Sequence, residues 1–594
     1  MWNNKEPWVI FKQHPSAKDS NGGVYIVQAT LIFDEQQKPK SVYLRRLIDG
    51  EPYLEKMNSS LDGIEWSISF SSRTQSTHVR YLVEWKEKTC WLNATGFHAF
   101  DITDAEDFSL RVHVSPEWFT EAVAYEIFID RFASSSNKND VPDWARRRDW
   151  GSNIDNDRYK NAYDLFGGDL RGVTEHLPYL ANLGISLIYL TPFFLAESAH
   201  RYDVIDFNTV DPFIGGEAAL AQLIQRCHQH GIRVIGDVTL NHTSWHHSWF
   251  IDAFNESSQR ARERYYFNKD NESYVCWDDL PHLPKLNWKS SDLEEDMISS
   301  LTRFVGPEFG LDGWRIDAAN MVGRYLDSDV SAHIISRVWR ECTDVNPNAI
   351  VIAEHNHDAS RLVEDASFDG LMNYVSVARP LWAWLADTPC DGFFGYPATM
   401  HKIRGEDLVK CCRGWEAAYG VSILKSNLNV ISSHDTPRMA SLWKHHPERT
   451  AAALGYLFAY PGVPMILYGE ECQYEGKTGE LGRVTFNGDT ASEIVELIHD
   501  LAHVRRVFKV LSDGDLRWIY AADNAVAFIR FTNKECLLSF ISRGGTNYHA
   551  IKLHGLKIDS IHVIAGNISA RLMSEQIVFF DGEAGFSYVE ILAK

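Results

Sequence analysis

Four short segments of the 594-residue chain end in side chains that can attack carbon, move a proton or grip a sugar. They read Asp237-Val-Thr-Leu-Asn241-His242, Gly313-Trp-Arg315-Ile-Asp317, Val351-Ile-Ala-Glu354-His355 and Ser433-His434-Asp435. In the second, Arg315 and Asp317 are two residues apart, so on a strand they share a face. A guanidinium beside a carboxylate lowers its pKa, which suits a carboxylate nucleophile at neutral pH. Glu354 follows the apolar run Val351-Ile-Ala and can face Asp317 across a barrel mouth. Desolvation beside a second carboxylate lets such a group keep its proton near neutrality. Two carboxyls with split roles across a small cleft are the arrangement that cleaves glycosidic bonds. His242 and His434 adjoin two of these ends, where neutral imidazoles can hydrogen-bond sugar hydroxyls.

Other readings of the same residues compete. A carboxylate after an apolar run is often a helix N-cap, and Arg315 with two acids could be a structural ion-pair network. Four such endings on one predicted face are harder to assign to capping. A metal cluster of Asp237, His242, Asp317 and His434 would set Arg315 beside the ion, and no HExxH motif occurs. His228-Gln-His230 falls at a predicted helix end; His355-Asn-His357 has only Asp358 nearby as a third ligand. No metal and no cofactor is assigned.

The elements that must position these residues follow from periodicity. Eight short apolar runs alternate with longer segments of helical period, the signature of βα units: Ala124–Asp130, Leu187–Thr191, Val234–Val238, Gly313–Asp317, Ile350–Glu354, Gly370–Tyr374, Asn429–Ser433 and Met465–Tyr468. No glycine-rich phosphate loop follows any of them, which favours a (β/α)8 TIM barrel over a doubly wound sheet. Reactive residues of such a barrel sit at the C-terminal strand ends. The third connection is long and rich in aromatics, an excursion subdomain. Before and after the barrel, short β-rich runs separated by turn residues predict flanking β domains. The expected division is 1–115, an N-terminal β-sandwich; 116–511, the barrel, with its excursion at 243–296; and 512–594, a C-terminal β domain.

Composition narrows the partners. With 80 Asp+Glu against 58 Lys+Arg the net charge is −22, which argues against nucleic acid or an anionic membrane as partner. The opening run Trp8–Phe11 is too short for a secretory signal. No segment approaches the ~20 apolar residues of a membrane span. Nine cysteines at irregular spacing, none in a CxxC pair, predict reduced thiols and a cytoplasmic protein. The 19 Trp, 24 Tyr and 31 Phe serve packing first, but flat apolar faces also stack on sugar rings.

Several longer motifs complete the picture: Tyr125-Glu-Ile-Phe-Ile-Asp-Arg-Phe132, Phe166-Gly-Gly-Asp-Leu170, His200-Arg-Tyr202-Asp203, Leu283-Pro-Lys-Leu-Asn287, Ala318-Ala-Asn-Met321 and Pro461-Gly-Val-Pro-Met-Ile-Leu-Tyr-Gly-Glu470. With the four segments above, in this order, the chain resembles the α-amylase family of glycoside hydrolases nearly end to end. It is most similar to the neopullulanase, cyclomaltodextrinase, maltogenic amylase and maltodextrin glucosidase group. The resemblance implies retaining cleavage of α-1,4-glucosidic bonds in maltodextrins, cyclodextrins or pullulan, with transglycosylation as a side activity. It implies Asp317 as nucleophile, Glu354 as general acid/base and Asp435 as the carboxylate that fixes the distorted sugar. His200, Tyr202, His242, Arg315 and His434 would line the subsite of the attacked glucose, Tyr202 by stacking; Asp237 and Asn241 would brace it. Trp245, Trp249, Trp277 and Trp288 are further stacking candidates. A homodimer through the N-terminal domain is a further implication. A glucan transferase of the same family and a non-catalytic glucan-binding relative are the alternatives. Ala353, Leu467 and the stretch Arg483-Val-Thr-Phe-Asn487 depart from the family pattern, the last on the donor side. Some relatives hold calcium near the first loop, but Asn137-Lys-Asn-Asp140 and Asp169 are poorly spaced for it.

Overall fold

A computed structural model describes residues 9–593 except 19–24, 34–36, 73–75, 112–113, 136–140, 256–257, 269–272, 387–400, 444–445, 489–492, 546–547 and 554–555. Its centre is a closed barrel of eight parallel strands: β1 (Ala124–Ile127), β2 (Leu187–Leu190), β3 (Arg233–Thr239), β4 (Gly313–Asp317), β5 (Ile350–Ala353), β6 (Gly370–Asn373), β7 (Leu428–Asn429) and β8 (Val463–Leu467). They follow one another in chain order, and β8 closes on β1 through Ala124↔Met465. The strands are buried on both faces, as parallel strands must be when helices cover the outside.

Strand alternation does the positioning. On β4, Trp314 and Ile316 point outward; the Trp314 ring stacks on Phe194 at 5.8 Å, and its Nε1 donates to Leu301 O. Arg315 and Asp317 therefore point inward. β4 starts at Gly313 with φ +149°, where a Cβ would lie 2.1 Å from Ile350 O. Only glycine lets β4 and β5 approach that closely. The seventh strand is shorter than the apolar run suggests. After Asn429 the chain turns, with Thr436 N–H donating to Ser433 O and Thr436 Oγ1 accepting from Ser433 N–H. That turn lifts His434 and Asp435 off the ladder and over the barrel mouth.

Between β3 and the helix Ser291–Val305, the chain builds two short helices and isolated bridges, including His242↔Lys285 and Tyr265↔Leu286. This segment is bolted to the strand end it covers: Leu286 N–H donates to Asn241 O, and Trp288 Nε1 to Leu240 O at 2.7 Å. At the N-terminal side, a four-stranded and a six-stranded antiparallel sheet enclose Val27, Leu31, Leu44, Phe70, Tyr81 and Val83. At the C-terminal side, five-stranded and three-stranded sheets form another β unit. Its strands His549–Lys552 and Ser569–Met573 were not evident as apolar runs. It sits on the barrel helix Pro447–Ala459, with Arg530 Nη1 donating to Ala459 O and Tyr588 Oη to Gly455 O. Among the described residues no helix is long and apolar enough to cross a membrane.

Candidate active site

The barrel mouth is organised around one guanidinium. Arg315, fully buried, contacts Asp237 at 2.7 and 2.9 Å and Asp317 Oδ1 at 3.0 Å through Nη1, and Glu354 Oε2 at 2.8 Å through Nη2. The register explains the cluster: Asp237 is opposite Arg315 on β3, and Glu354 immediately follows β5. Asp237 also accepts from Tyr189 Oη at 2.6 Å and Tyr202 Oη at 2.8 Å. It braces the site from beneath. Glu354 Oε2 accepts from the backbone N–H of Ala318 at 2.8 Å. Ala318 has φ +43°, a left-handed conformation that costs a non-glycine residue strain of order 1 kcal/mol just beyond Asp317.

One cation shared by three acids cannot hold all of them ionised. Burial raises the Asp317 pKa well above the ordinary range; Arg315 pulls it down, and the charges of Glu354 and Asp237 push it up again. Burial likewise raises Glu354, against Arg315 and with Asp435. The expectation that Arg315 alone would lower Asp317 is therefore corrected: the guanidinium is spent first on Asp237. Asp317 and Glu354 titrate as a pair, and one proton between them is the state in which one carboxylate can attack while the other carboxyl donates.

Across the mouth the charges are arranged differently. Asp435 lies 3.1 Å from His434 Nε2, and Arg483 Nη2 donates to its Oδ1 at 2.8 Å. Burial alone would raise the Asp435 pKa, but His434 and Arg483 carry it far below the carboxylate range. His434 in turn sits between two acids. Its Nδ1 meets Glu126 Oε1, a buried carboxylate on β1. Burial opposes its charge, yet Asp435 and Glu126 outweigh that and raise its pKa to about 10. That favours an imidazolium over the neutral ring expected. The other two histidines are neutral. Burial lowers His200 well below its ordinary value, and burial with Lys285 lowers His242 to about 3. His200 Nδ1 lies 3.1 Å from Tyr202 N and 3.0 Å from Ser198 Oγ. Tyr202 is stacked 5.6 Å from the His434 ring at an interplanar angle of 10°.

The profile described as "Alpha amylase, catalytic domain" matches residues 126–508. The chain belongs to the α-amylase family. It is 28% identical over 442 residues to a protein named cyclomaltodextrinase from Geobacillus thermopakistaniensis, covering 72% of this chain and 70% of that one. It is 27% identical over 460 residues to a Bacillus subtilis protein named intracellular maltogenic amylase, covering 75% and 72%. A solved structure named cyclomaltodextrinase superimposes with a TM-score of 0.71 at 22% identity over 98% of this chain and 99% of that one, which speaks for a shared fold.

Within this α-amylase-family barrel, the expected site residues fall into two groups. Arg315, Asp317 and Glu354 form one cluster, and Tyr202, His434 and Asp435 the other. His200 lies within electrostatic reach of the second cluster, whereas His242 flanks Asn241 under the excursion. Of the stacking candidates, Trp288 is buried packing and Trp249 lies against Arg264 and His247. Trp245 is half exposed, and Trp277 stacks on His242 at 5.5 Å. Arg483 and Glu126 were passed over as contributors. The signal for Glu126 was present: a lone charge inside the apolar strand Ala124–Ile127, one residue after Tyr125. Asn137–Asp140 lie outside the described residues, and Asp169 is used by Ser135 and the N–H of Gly172. The eight described cysteines are free thiols, and Cys390 lies outside the described residues.

Proposed function

We propose that the chain is a retaining hydrolase of α-1,4-linked glucose oligomers: maltodextrins, cyclodextrins and pullulan. The observation that carries the reading is the single guanidinium of Arg315 spanning Asp317 and Glu354, with Asp435 held ionised opposite. Retaining glycosidases set their two carboxyls about 5–5.5 Å apart, and acids on neighbouring Nη atoms fit that short spacing. Asp317 attacks the anomeric carbon as Glu354 protonates the leaving oxygen, giving a covalent glycosyl-enzyme. Glu354 then takes a proton from water, which displaces Asp317. Two inversions return the original α configuration. Asp435 grips the hydroxyls of the distorted sugar, His200 and His242 add neutral donors, and Tyr202 stacks on the ring. The short-oligomer preference rests on the relatives' names, cyclomaltodextrinase and intracellular maltogenic amylase. The second name and the free thiols also support a cytoplasmic location.

The test is one product profile. Maltoheptaose, β-cyclodextrin and pullulan are incubated with enzyme and the first-formed anomer is followed by proton NMR. α-Configured maltose or glucose is expected. A β-anomer would overturn retention. Transglycosylation adds some longer products; longer or α-1,6-linked products outweighing maltose and glucose would mark a transferase, and no turnover a glucan-binding protein. Dimerisation through the N-terminal domain predicts twice the 67.8-kDa chain mass in light scattering at micromolar concentration.

A further inference from the structure

The hydrogen-bond inventory around His434 places a proton on Nε2 and sets a buried acid against Nδ1. Tyr202 Oη donates to Asp237 Oδ2 at 2.8 Å, and Asp237 also accepts from Tyr189 and pairs with Arg315. With its proton used there, the Tyr202 oxygen can only accept from His434 Nε2, 2.8 Å away. Asp435 Oδ2, 3.1 Å from the same nitrogen, is also an acceptor. On the other side of the ring, Glu126 Oε1 faces Nδ1 and is 3.3 Å from the backbone N–H of His434. An ionised Glu126 oxygen there accepts from both nitrogens. Glu126 is fully buried, and its Oε2 has no hydrogen-bond partner among the described residues. Its carboxylate is directed to this one imidazole.

We infer that Glu126 is a positioning residue for the hydrolysis: from near the C-terminal end of β1 it holds His434 doubly protonated, so that a permanent Nε2–H cation faces Asp435 and Tyr202. The inference rests on the glycosidase reading above, and adds to it the group that sets the charge beneath Asp435. The charged and titratable groups facing His434 are Glu126 from β1, Tyr202 from the loop after β2, Asp435 beside it, and Arg483, whose Nε donates to His434 O at 3.0 Å. His200 lies further off in the same field. Arg483 opposes protonation of His434, so the two carboxylates must supply it. Asp435 is the one whose hydroxyl-binding role would tie up its lone pairs with substrate. Glu126 contacts Nδ1, the ring nitrogen turned away from Asp435.

The test is E126Q, which keeps the chain length and one carbonyl acceptor but removes the charge. His434 is followed by histidine-selective 13C labelling, its resonance assigned as the one lost in H434N. In the unaltered enzyme it is expected to stay protonated to pH 9. In E126Q its pKa should fall by about 1–3. Relative to the parent, kcat/KM should lose about tenfold per pH unit above the new pKa. E126D, which restores charge on a shorter stem, should recover the alkaline activity in part. A parent resonance titrating near 6.5 overturns the inference without any variant, as does a pH profile unchanged in a folded E126Q. Failure of the glycosidase reading shows separately, as turnover persisting in D317N whatever the His434 resonance does.

Discussion

The two halves of the barrel mouth carry the same residue types and arrive at opposite protonation states. At the ends of β4 and β5, three acids share Arg315, and burial drives the Asp317–Glu354 pair up so that it keeps a proton. At the turn after β7, one acid faces both His434 and Arg483 and is held ionised. The ratio of cations to carboxylates decides the difference. Burial is common to both halves, and by itself it would raise every carboxyl pKa. A half that must pass a proton back and forth is short of cations. The acid proposed to remain an anion through the reaction has two cations on it, one of them shared with Glu126.

The largest effect that can break this comparison comes from D317N. Removing the proposed nucleophile should lower kcat on maltoheptaose by on the order of 10⁴-fold or more, with the circular dichroism spectrum unchanged. Turnover within tenfold of the parent would move the chemistry away from the cation-poor half. E354Q should be next, losing about 10²–10⁴-fold on maltodextrins. α-Glucosyl fluoride needs no proton on its leaving group, so its first step should be nearly spared. Equal losses on both substrates would mean that Glu354 is not the acid.

How far this contrast could be read before folding depends on where the partners lie in the chain. Arg315 and Asp317 are two residues apart, and a strand's period alone puts them together. The apolar runs likewise announced the barrel strands, because each is buried on both faces. The ionised half was hidden by distance. Glu126 and His434 are 308 residues apart, and Arg483 and Asp435 are 48 apart. The first contact exists only because β8 closes on β1, and the second because β8 lies beside β7. The ring state of His434 was misread for that reason: a histidine beside one aspartate in sequence gains a second acid only when the barrel closes. The early end of β7 was missed for a local reason. Ser433 and Thr436 form a side-chain turn, which competes with the ladder in a way that an apolar run does not reveal.

R483M attacks the cation-rich half directly. A hydrogen bond to a charged group contributes about 1.5–3 kcal/mol, so kcat/KM should fall by roughly 10- to 150-fold. The pH profile carries the sharper information. In the proposed mechanism Asp435 works ionised, so its contribution is present above its pKa and lost as pH falls through it. Arg483 lowers that pKa. Without it, the pKa rises and the acid limb of kcat/KM should move to higher pH. An acid limb that stays put would leave His434 alone as the group that holds Asp435 ionised.

The smallest effect belongs to a histidine outside both clusters. His242 has its pKa lowered to about 3 by burial and Lys285, so it is neutral at every pH at which the enzyme is assayed. It can contribute only a neutral hydrogen bond, worth about 0.5–1.5 kcal/mol. H242A should raise KM for maltodextrins by roughly two- to twelvefold, leave kcat nearly unchanged, and leave both limbs of the pH profile where they were. E126Q and R483M, in contrast, should each move a limb. If H242A also moves one, His242 is carrying charge in the enzyme–substrate complex. The division between a charged half and a neutral rim would then have to be redrawn to include the excursion that covers it.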